Sequence, residues 1–267
     1  MKIVIPMAGR GSRFTANAHE NPEFLNPKPF ISVLGQPMII WALKSLPFVD
    51  LPQRPAKTKF IVTAKDLIFI SLKDQEEKFT ITKKLKNIFG EEITVILIPK
   101  VTRGAAETAL IAKPYVKPDE ELIVSDSDHY FDGTALYNEI IKKDAKVKGI
   151  IPVFKPMDKD PKWSFSLVEK GNIISQVGEK DASLAEKGAY ANIGGYYFAH
   201  AKLFFSEVEE MIKENALYGE EGKKEFYVAP VFERLIKKGH TILAAITPKV
   251  WGLGTPKDLA YFEENFT

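Results

Sequence analysis

Short apolar runs alternate with longer segments of helical periodicity through the first half of the chain. The apolar runs are rich in Ile and Val and are short, which is typical of buried strands; they cover residues 2–7, 59–63, 93–98 and 122–125. Helices are predicted at residues 37–46, 66–89, 103–115 and 134–143. Strand–helix alternation favours right-handed crossovers, and therefore a mostly parallel sheet with helices on both faces.

The second half of the chain has a different pattern, which predicts antiparallel strands as well. Strands are predicted at residues 150–154, 164–169, 173–177, 190–198 and 241–247, and helices at residues 202–214, 228–238 and from Pro256 onwards. The turn Lys170-Gly171-Asn172 predicts a hairpin. No proline- or glycine-rich linker separates the halves, so we expect a single α/β domain over residues 1–267, with a Rossmann-like, mostly parallel mixed sheet.

Composition excludes several classes of function. The chain of 267 residues has a net charge of +2, which gives no reason to expect a nucleic acid or an acidic membrane as partner. It contains no cysteine, which excludes disulfides, a thiolate nucleophile and Cys-containing zinc sites. The opening apolar run is interrupted at Gly9, too early for the roughly 7–15 residues of a signal-peptide core. We therefore expect a cytoplasmic protein.

A glycine-containing loop, Gly9-Arg10-Gly11-Ser12-Arg13, follows the first predicted strand. Glycines let the backbone approach a ligand closely, and consecutive N–H groups form an anion-binding nest. Neither the dinucleotide fingerprint, which needs a glycine where this chain has Phe14, nor the P-loop pattern is present. Lys28, within the rigid Pro27-Lys28-Pro29, adds a third cation, and the three together suit a triphosphate. For the glycine turn alone, a surface turn with incidental charge is an equal alternative.

Two carboxylates, Asp126 and Asp128, follow the predicted strand at residues 122–125. Residues two apart in an extended chain point the same way, so both can face a cleft at the carboxyl edge of the sheet. Carboxylate oxygens are preferred ligands of Mg²⁺. A turn or helix-cap role is an even alternative for Asp126 and a weaker one for Asp128. We expect His129 to form part of the wall or to support the metal ligands from behind, and not to bind the metal itself.

The opening segment, residues 3–14, together with Pro27-Lys28-Pro29-Phe30, resembles the sugar-phosphate nucleotidylyltransferases, a family of GT-A-like fold. The resemblance implies that Ala8, Gly9, Arg10, Gly11 and Ser12 bind the nucleotide. It also implies that Arg13 grips the leaving pyrophosphate, that Lys28 contacts the transferred α-phosphate, and that Asp128 binds the metal. The insertion at residues 15–26 is either a mobile flap or a tolerated loop.

Other elements extend the resemblance along the chain. It implies base or ribose recognition by Thr102, Gly104 and Ala105, although a plain helix start is the alternative. In the second half it implies an acceptor pocket built from Glu179, Lys180, Asn192 and Gly194, with Trp163 as a wall. An exposed Glu179–Lys180 ion pair and a core tryptophan are the alternatives there. Many relatives carry an aspartate as a second metal ligand where this chain has Leu253, which leaves that ligand open.

These expectations combine into one reaction. A nucleoside triphosphate and a small phosphorylated acceptor would react with the help of Mg²⁺, forming an NDP-linked product and pyrophosphate. Residues 1–145 would mainly bind the nucleotide, and residues 146–267 the acceptor. The resemblance is closest to bacterial surface-polysaccharide members, some of which use CTP, so CTP is placed slightly ahead of UTP, GTP and dTTP.

Two other functions are compatible with parts of the sequence. A GT-A glycosyltransferase could use Asp126-Ser127-Asp128 as its metal motif, but it would not need the Arg13 and Lys28 grip on a triphosphate. A catalytically silent nucleotide-sensing subunit would be favoured by loss of Arg13, Lys28 or Asp128, and all three are present. A homodimer is expected from base rates alone.

Overall fold

A computed structural model of the protein describes residues 1–156, 163–219, 222 and 224–266. The strands of this part of the chain are β1 (Lys2–Pro6), β2 (Ser32–Val33), β3 (Gln36–Pro37), β4 (Leu67–Leu72), β5 (Thr94–Ile98), β6 (Leu122–Ser125), β7 (His129–Phe131), β8 (Val147–Phe154), β9 (Ser164–Val168), β10 (Ile174–Glu179), β11 (Tyr190–Asn192), β12 (Gly195–Phe198), β13 (Thr241–Ile246) and β14 (Val250–Gly252). The α-helices are α1 (Ser12–Thr15), α2 (Met38–Lys44), α3 (Lys73–Phe79), α4 (Ile81–Phe89), α5 (Ala105–Leu110), α6 (Thr134–Lys142), α7 (Ala182–Glu186), α8 (Ala201–Lys213), α9 (Ala229–Lys237) and α10 (Pro256–Asn265).

One ten-stranded mixed sheet connects the two halves of the sequence. Its order is β10-β9-β11-β8-β12-β6-β1-β4-β5, and β13 pairs in parallel with β8. The pairings make β1, β4, β5, β6, β8, β9 and β13 run in one direction and β10, β11 and β12 in the other. The predicted α/β fold with a mostly parallel mixed sheet is confirmed. Because β12 pairs with β6, the two sequence halves share a continuous sheet.

Both faces of the sheet are covered by helices, as the apolar strands require. Val4 of β1 joins a core with residues of α5, α8 and α9, in which Phe198 stacks on Phe232 at 4.5 Å between ring centroids. Ile3 and Ile5, which point to the opposite face, join a second core with residues of α2, α4 and α6. The alternation of side chains along β1 therefore contributes to both cores.

The prediction was wrong between residues 59 and 72, whereas the rest of the predicted helix, up to residue 89, is present as α3 and α4. Residues 67–72, predicted as the start of a helix, form β4, which pairs in parallel with both β1 and β5. Residues 59–63 form no regular strand; Val62 makes one isolated bridge to Val49, and Ile61 is 50% exposed. A short apolar run fits a buried strand or a buried helix equally well, so the parallel partners decide the outcome.

The other predicted elements are confirmed, with shifted ends. The predicted strand at residues 190–198 is divided into β11 and β12, and the predicted helix at residues 103–115 is shorter, as α5. The hairpin predicted at Lys170-Gly171-Asn172 joins β9 to β10. Among the residues that the structure describes, no helix combines the length and the apolar character that a bilayer crossing requires.

The assignment of β4 can be tested by core truncation. Phe69 is fully buried and stacks on Phe89 of α4, with ring centroids 5.2 Å apart. We expect Phe69→Ala to lower the free energy of unfolding by about 3–5 kcal/mol, because it leaves a cavity under the sheet. The control Ile61→Ala, in the segment wrongly predicted as a strand, should change it by less than about 0.5 kcal/mol. Urea denaturation measures both, and equal losses would contradict the assignment.

Candidate functional site

A cleft of about 900 Å³ lies where several loops of the sheet meet. The loops that follow β1, β5 and β6 form one part of its wall, as expected for parallel strands whose carboxyl ends share an edge. The end of β10, the residue before β9 and the segment before α9 form the other part. The two halves of the sequence therefore both contribute to the same cleft.

The cleft brings together nearly all of the residues predicted to form the site. Those that line it are Ala8, Gly9, Arg10, Gly11, Arg13, Lys28, Thr102, Gly104, Ala105, Asp126, Asp128, Trp163, Glu179, Lys180, Asn192 and Gly194. Ser12 is not among the residues that line it. It begins α1 with an exposed side chain, and its carbonyl accepts hydrogen bonds from Ala16 N–H and the Thr15 hydroxyl.

Helix α3 holds the glycine loop in place through two consecutive residues. Gln75 Nε2 donates to the carbonyl oxygen of Gly9 at 3.2 Å, and Asp74 forms an ion pair with Arg10. Sequence reasoning missed both residues because it placed them inside one long helix. Once residues 67–72 are recognised as a buried strand, Asp74 and Gln75 follow its carboxyl end, which is where ligand-binding loops are expected.

A salt bridge joins the glycine-loop side of the cleft to the acidic pair. Lys28 Nζ lies 2.6 Å from Asp128 Oδ2, and both side chains are about a quarter exposed, at 27% and 25%. Burial alone would raise the pKa of Asp128, but the charge and the hydrogen bond of Lys28 outweigh it and lower this pKa. Asp128 is therefore held as a carboxylate next to a cation, although the two residues are 100 positions apart in sequence.

Asp126 packs closely against Gly194. A Cβ atom at Gly194 would lie 2.0 Å from Asp126 Oδ2, so the glycine at this position is required by the packing of the carboxylate. Burial, followed by the charge of Asp128, raises the pKa of Asp126. Two carboxylates that repel each other in this way are stabilised by a divalent cation between them, and carboxylate oxygens are suitable ligands for Mg²⁺.

His129 lies beside the acidic pair and is only 2% exposed. Burial lowers its pKa to about 4, so its ring is neutral at pH 7. Neither ring nitrogen has a hydrogen-bond partner among the described residues. One nitrogen of His129 and one carboxylate oxygen each of Asp126 and Asp128 all lie within 4.8 Å of one another.

The loop after β5 is packed against the segment that precedes α9. Gly104 has a φ of 147°, and a Cβ atom there would lie 2.5 Å from the carbonyl oxygen of Phe226. Phe226 also exchanges backbone hydrogen bonds with Arg103 and Ala106, each of 2.9 Å. The close approach of the chain's own backbone is therefore sufficient to require Gly104, whether or not a base contacts it.

The predicted acceptor pocket is built around Lys180 and Tyr227. The ammonium of Lys180 donates to the Tyr227 hydroxyl at 2.8 Å and lies 4.9 Å from the centre of its ring. Glu179 is partly buried, and burial raises its pKa to about 8. The charges of Asp126 and Glu225 also raise this pKa, and the opposing charge of Lys180 lowers it too little to compensate. Glu225 and Tyr227 also line the cleft, and Tyr227 is not among the predicted site residues. The signal that could have identified it is its place in residues 225–230, Glu-Phe-Tyr-Val-Ala-Pro, a segment that also resembles the family.

Asn192 and Trp163 have defined places in the wall of this pocket. Asn192 is 3% exposed, and its Oδ1 accepts a hydrogen bond of 2.7 Å from the Ser166 hydroxyl. The carbonyl of Trp163 accepts a bond from Lys180 N–H at 3.2 Å, and its ring packs edge-on against Phe154. Trp163 thus both lines the cleft and packs on the sheet, which combines the two roles considered for it.

Leu253, at the position where relatives carry an aspartate, belongs to the hydrophobic core. Its side chain is fully buried with Phe14 and Phe24, while its N–H donates to the carbonyl oxygen of Asp128 at 2.8 Å. Phe24 packs edge-on against Phe14 at 5.2 Å, so the insertion at residues 15–26 is anchored near its end. Leu253 therefore contributes a backbone contact to the segment that carries Asp128, and no carboxylate.

Comparison with known proteins agrees with this architecture. The sequence model of the family described as nucleotidyl transferase matches residues 26–265. A curated relative, the bifunctional protein GlmU of Carboxydothermus hydrogenoformans, is 30% identical over 172 residues, which cover 62% of this chain and 37% of that protein. The chain spans between 37% and 52% of the length of the curated GlmU relatives that it matches.

Solved structures share the fold over the full length of the chain. The nucleoside-diphosphate-sugar pyrophosphorylase from Vibrio cholerae superimposes with a TM-score of 0.73 at 22% identity, covering 98% of this chain and all of that one. The inositol-1-phosphate CTP transferase from T. maritima gives a TM-score of 0.68 at 16% identity, covering 100% and 97%. With the family match over most of the sequence, the chain belongs to the nucleotidyl transferase family.

The raised pKa of Glu179 predicts a pH-dependent stability. Between the ordinary value of 4.5 and about 8, the folded protein keeps a proton that the unfolded chain has lost. Glu179 therefore opposes folding more strongly as pH rises through this window. We expect the melting temperature of Glu179→Gln to rise relative to that of the wild type as the pH increases from 5 to 9. The rise should be about 2–4 °C for each kcal/mol of destabilisation that the substitution removes.

Calorimetric scans at several pH values measure this difference. Glu91→Gln, at a side chain that is 80% exposed, is the control for the loss of a negative charge. A difference between Glu179→Gln and the wild type that stays constant across the whole range would show that the carboxyl ionises normally.

Proposed function

We propose that the protein transfers a nucleoside monophosphate from a nucleoside triphosphate to a small phosphorylated acceptor. A phosphate oxygen of the acceptor attacks the α-phosphorus, the bond to the bridging oxygen breaks, and pyrophosphate leaves with the electron pair. A phosphate dianion is already nucleophilic at neutral pH, so neither a strong general base nor a covalent protein intermediate is needed. The rate would come from positioning and charge neutralisation.

The observation that carries this proposal is the convergence of Arg13, Lys28 and Asp128 on one cleft, with Lys28 and Asp128 2.6 Å apart. A polyphosphate needs cations for its oxygens and a carboxylate site for its metal, and this cleft offers both. In the proposed complex, Lys28 contacts the α-phosphate and Arg13 the leaving pyrophosphate. Ala8, Gly9, Arg10 and Gly11 contribute the loop that cradles the nucleotide.

The chain's residues fit a divalent cation at the acidic pair. Asp126 and Asp128 would hold Mg²⁺, whose charge would stabilise the phosphate oxygens when it is bound. Burial, followed by repulsion from Asp128, raises the pKa of Asp126, and a cation at this place would offset both effects. Asp128 also orients Lys28, so its carboxylate has a role in positioning as well.

The two halves of the chain divide the substrates in this proposal. Residues 1–145 bind the nucleotide, with Thr102, Gly104 and Ala105 near the base or ribose, and residues 146–267 bind the acceptor. Lys180 is suited to the acceptor phosphate, and Glu179, Asn192, Gly194 and Trp163 to the rest of it. The similar proteins named for sugar nucleotides and for inositol 1-phosphate support a sugar or polyol phosphate as acceptor.

We also propose CTP as the nucleotide and a surface polysaccharide as the destination of the product, with the enzyme acting in the cytoplasm. The name of the T. maritima protein, a CTP transferase, supports the choice of CTP over UTP, GTP and dTTP. The alternative of a GT-A glycosyltransferase would consume a nucleotide-sugar through Asp126-Ser127-Asp128 and release a nucleoside diphosphate.

A substrate panel tests the reaction itself. We expect pyrophosphate release when the protein is incubated with Mg²⁺, one of the four nucleoside triphosphates and a suitable sugar or polyol phosphate. The release should be lost when EDTA removes the metal. Enzyme-coupled detection of pyrophosphate measures it, and mixtures without acceptor are the control. If no combination in the panel releases pyrophosphate, and the protein instead releases nucleoside diphosphate from nucleotide-sugars, the glycosyltransferase alternative would be favoured.

Removal of either partner of the salt bridge tests the assigned roles. We expect Lys28→Ala and Asp128→Asn each to lower kcat by roughly 10²-fold or more, the scale of losing one preorganised electrostatic contact. Lys86→Ala is the matched control, since Lys86 pairs with Glu91 at 3.0 Å outside the cleft. Wild-type turnover in both cleft variants would rule out these assignments.

A further inference from the structure

Among the described residues, His129 is a buried side chain whose polar atoms have no protein partner. The residue is 2% exposed, both ring nitrogens lack a hydrogen bond to any described residue, and its ring lies beside Phe131 with centroids 5.3 Å apart. Buried polar groups are nearly always paired, and an unpaired one needs an explanation. A histidine that serves only to fill a core usually donates to a carbonyl or a carboxylate, and this one does not.

The position of the ring points to a metal ligand. His129 lines the same cleft as Asp126 and Asp128, and one potential ligand atom from each of the three lies within 4.8 Å of the others. The backbone of His129 is held in place because strand β7 pairs with β14, where Gly252 is the partner of His129. Lys28 bonds to Asp128 through one of its two carboxylate oxygens, Oδ2.

The chemistry of the three ligands differs from that of a site made only of oxygen. Mg²⁺ favours carboxylate, carbonyl and water oxygens, whereas an imidazole nitrogen adds affinity for first-row transition metals. In such mixed sites, affinity rises from Mn²⁺ to Co²⁺ along the Irving–Williams order. Replacing one oxygen ligand with a nitrogen therefore changes the preferred metal without moving the site.

We infer that His129 is a third ligand, beside Asp126 and Asp128, of the divalent-metal site, and that it makes the site prefer Co²⁺ and Mn²⁺ to Mg²⁺. This inference rests on the proposed function for the purpose of the metal, but it concerns the ligands themselves. It departs from the expectation from sequence, in which His129 forms part of the wall or supports the ligands from behind.

Metal binding to the full-length protein tests the inference without any turnover. We expect isothermal titration to show tighter binding of Co²⁺ than of Mg²⁺, and His129→Asn to reduce this preference at least about tenfold. Binding of Mg²⁺ itself should change less than about threefold, because asparagine supplies an oxygen. His19→Asn, at a side chain that is 73% exposed, is the matched control and should leave both affinities unchanged.

A spectroscopic measurement on the wild type covers the case in which the variant does not fold. In the Mn²⁺ complex we expect electron spin echo modulation from a directly bound imidazole nitrogen, which is lost in His129→Asn and kept in His19→Asn. Absence of nitrogen modulation in the wild type, or an unchanged Co²⁺ preference in His129→Asn, would overturn the inference. Nitrogen modulation in the wild type that is lost in His129→Asn would support the ligand assignment whether or not pyrophosphate is released. Pyrophosphate release by a wild type without nitrogen modulation would overturn this inference and leave the proposed function standing.

Discussion

The salt bridge between Lys28 and Asp128 and the repulsion between Asp128 and Asp126 control the charge of the cleft. Each carboxylate is pushed towards its neutral form by burial, and only Asp128 has a cation close enough to reverse this. A group held in a low-dielectric site interacts strongly with any new charge, so an entering polyphosphate and its metal act on groups that are already in place. The same limited solvation, together with the charge of Asp126, leaves Glu179 with a raised pKa.

This arrangement is maintained by contacts between segments that are far apart in sequence. The backbone of the glycine loop is held by Gln75, the turn at Gly104 is held by the backbone of Phe226, and the carboxylate of Asp126 packs against Gly194. In each case a residue from a distant part of the sequence restricts a loop that would otherwise sample many conformations. The entropy of ordering these loops is therefore lost on folding and does not have to be lost again when a ligand binds.

The leucine at position 253, where the resemblance to the family leads one to expect an aspartate, belongs to the hydrophobic core. Leu253 fills a cluster with Phe14 and Phe24, which anchors both the insertion and the short helix that carries Arg13. A carboxylate at this place would be buried among apolar side chains, which is costly without a partner. His129, on the neighbouring strand β7, is the adjacent side chain that can provide a further ligand, and our inference assigns this role to it.

The sequence by itself determined the fold class and most of the residues that line the candidate cleft. Apolar runs and the residues that follow them are local features, and in a largely parallel sheet the segments after the strands necessarily meet at one edge. The glycine loop, Lys28 and the acidic pair could therefore be predicted to converge, and they line one cleft.

Tertiary structure alone decided what depends on distant partners. The run at residues 67–72 became a strand because β1 and β5 offer it two parallel ladders, which no local propensity encodes. The roles of Asp74, Gln75 and Tyr227, the exclusion of Ser12 from the cleft and the burial of Leu253 follow from packing between segments far apart in sequence. The raised pKa of Glu179 and the unpaired ring of His129 depend on burial and on neighbouring charges, which exist only in the folded chain.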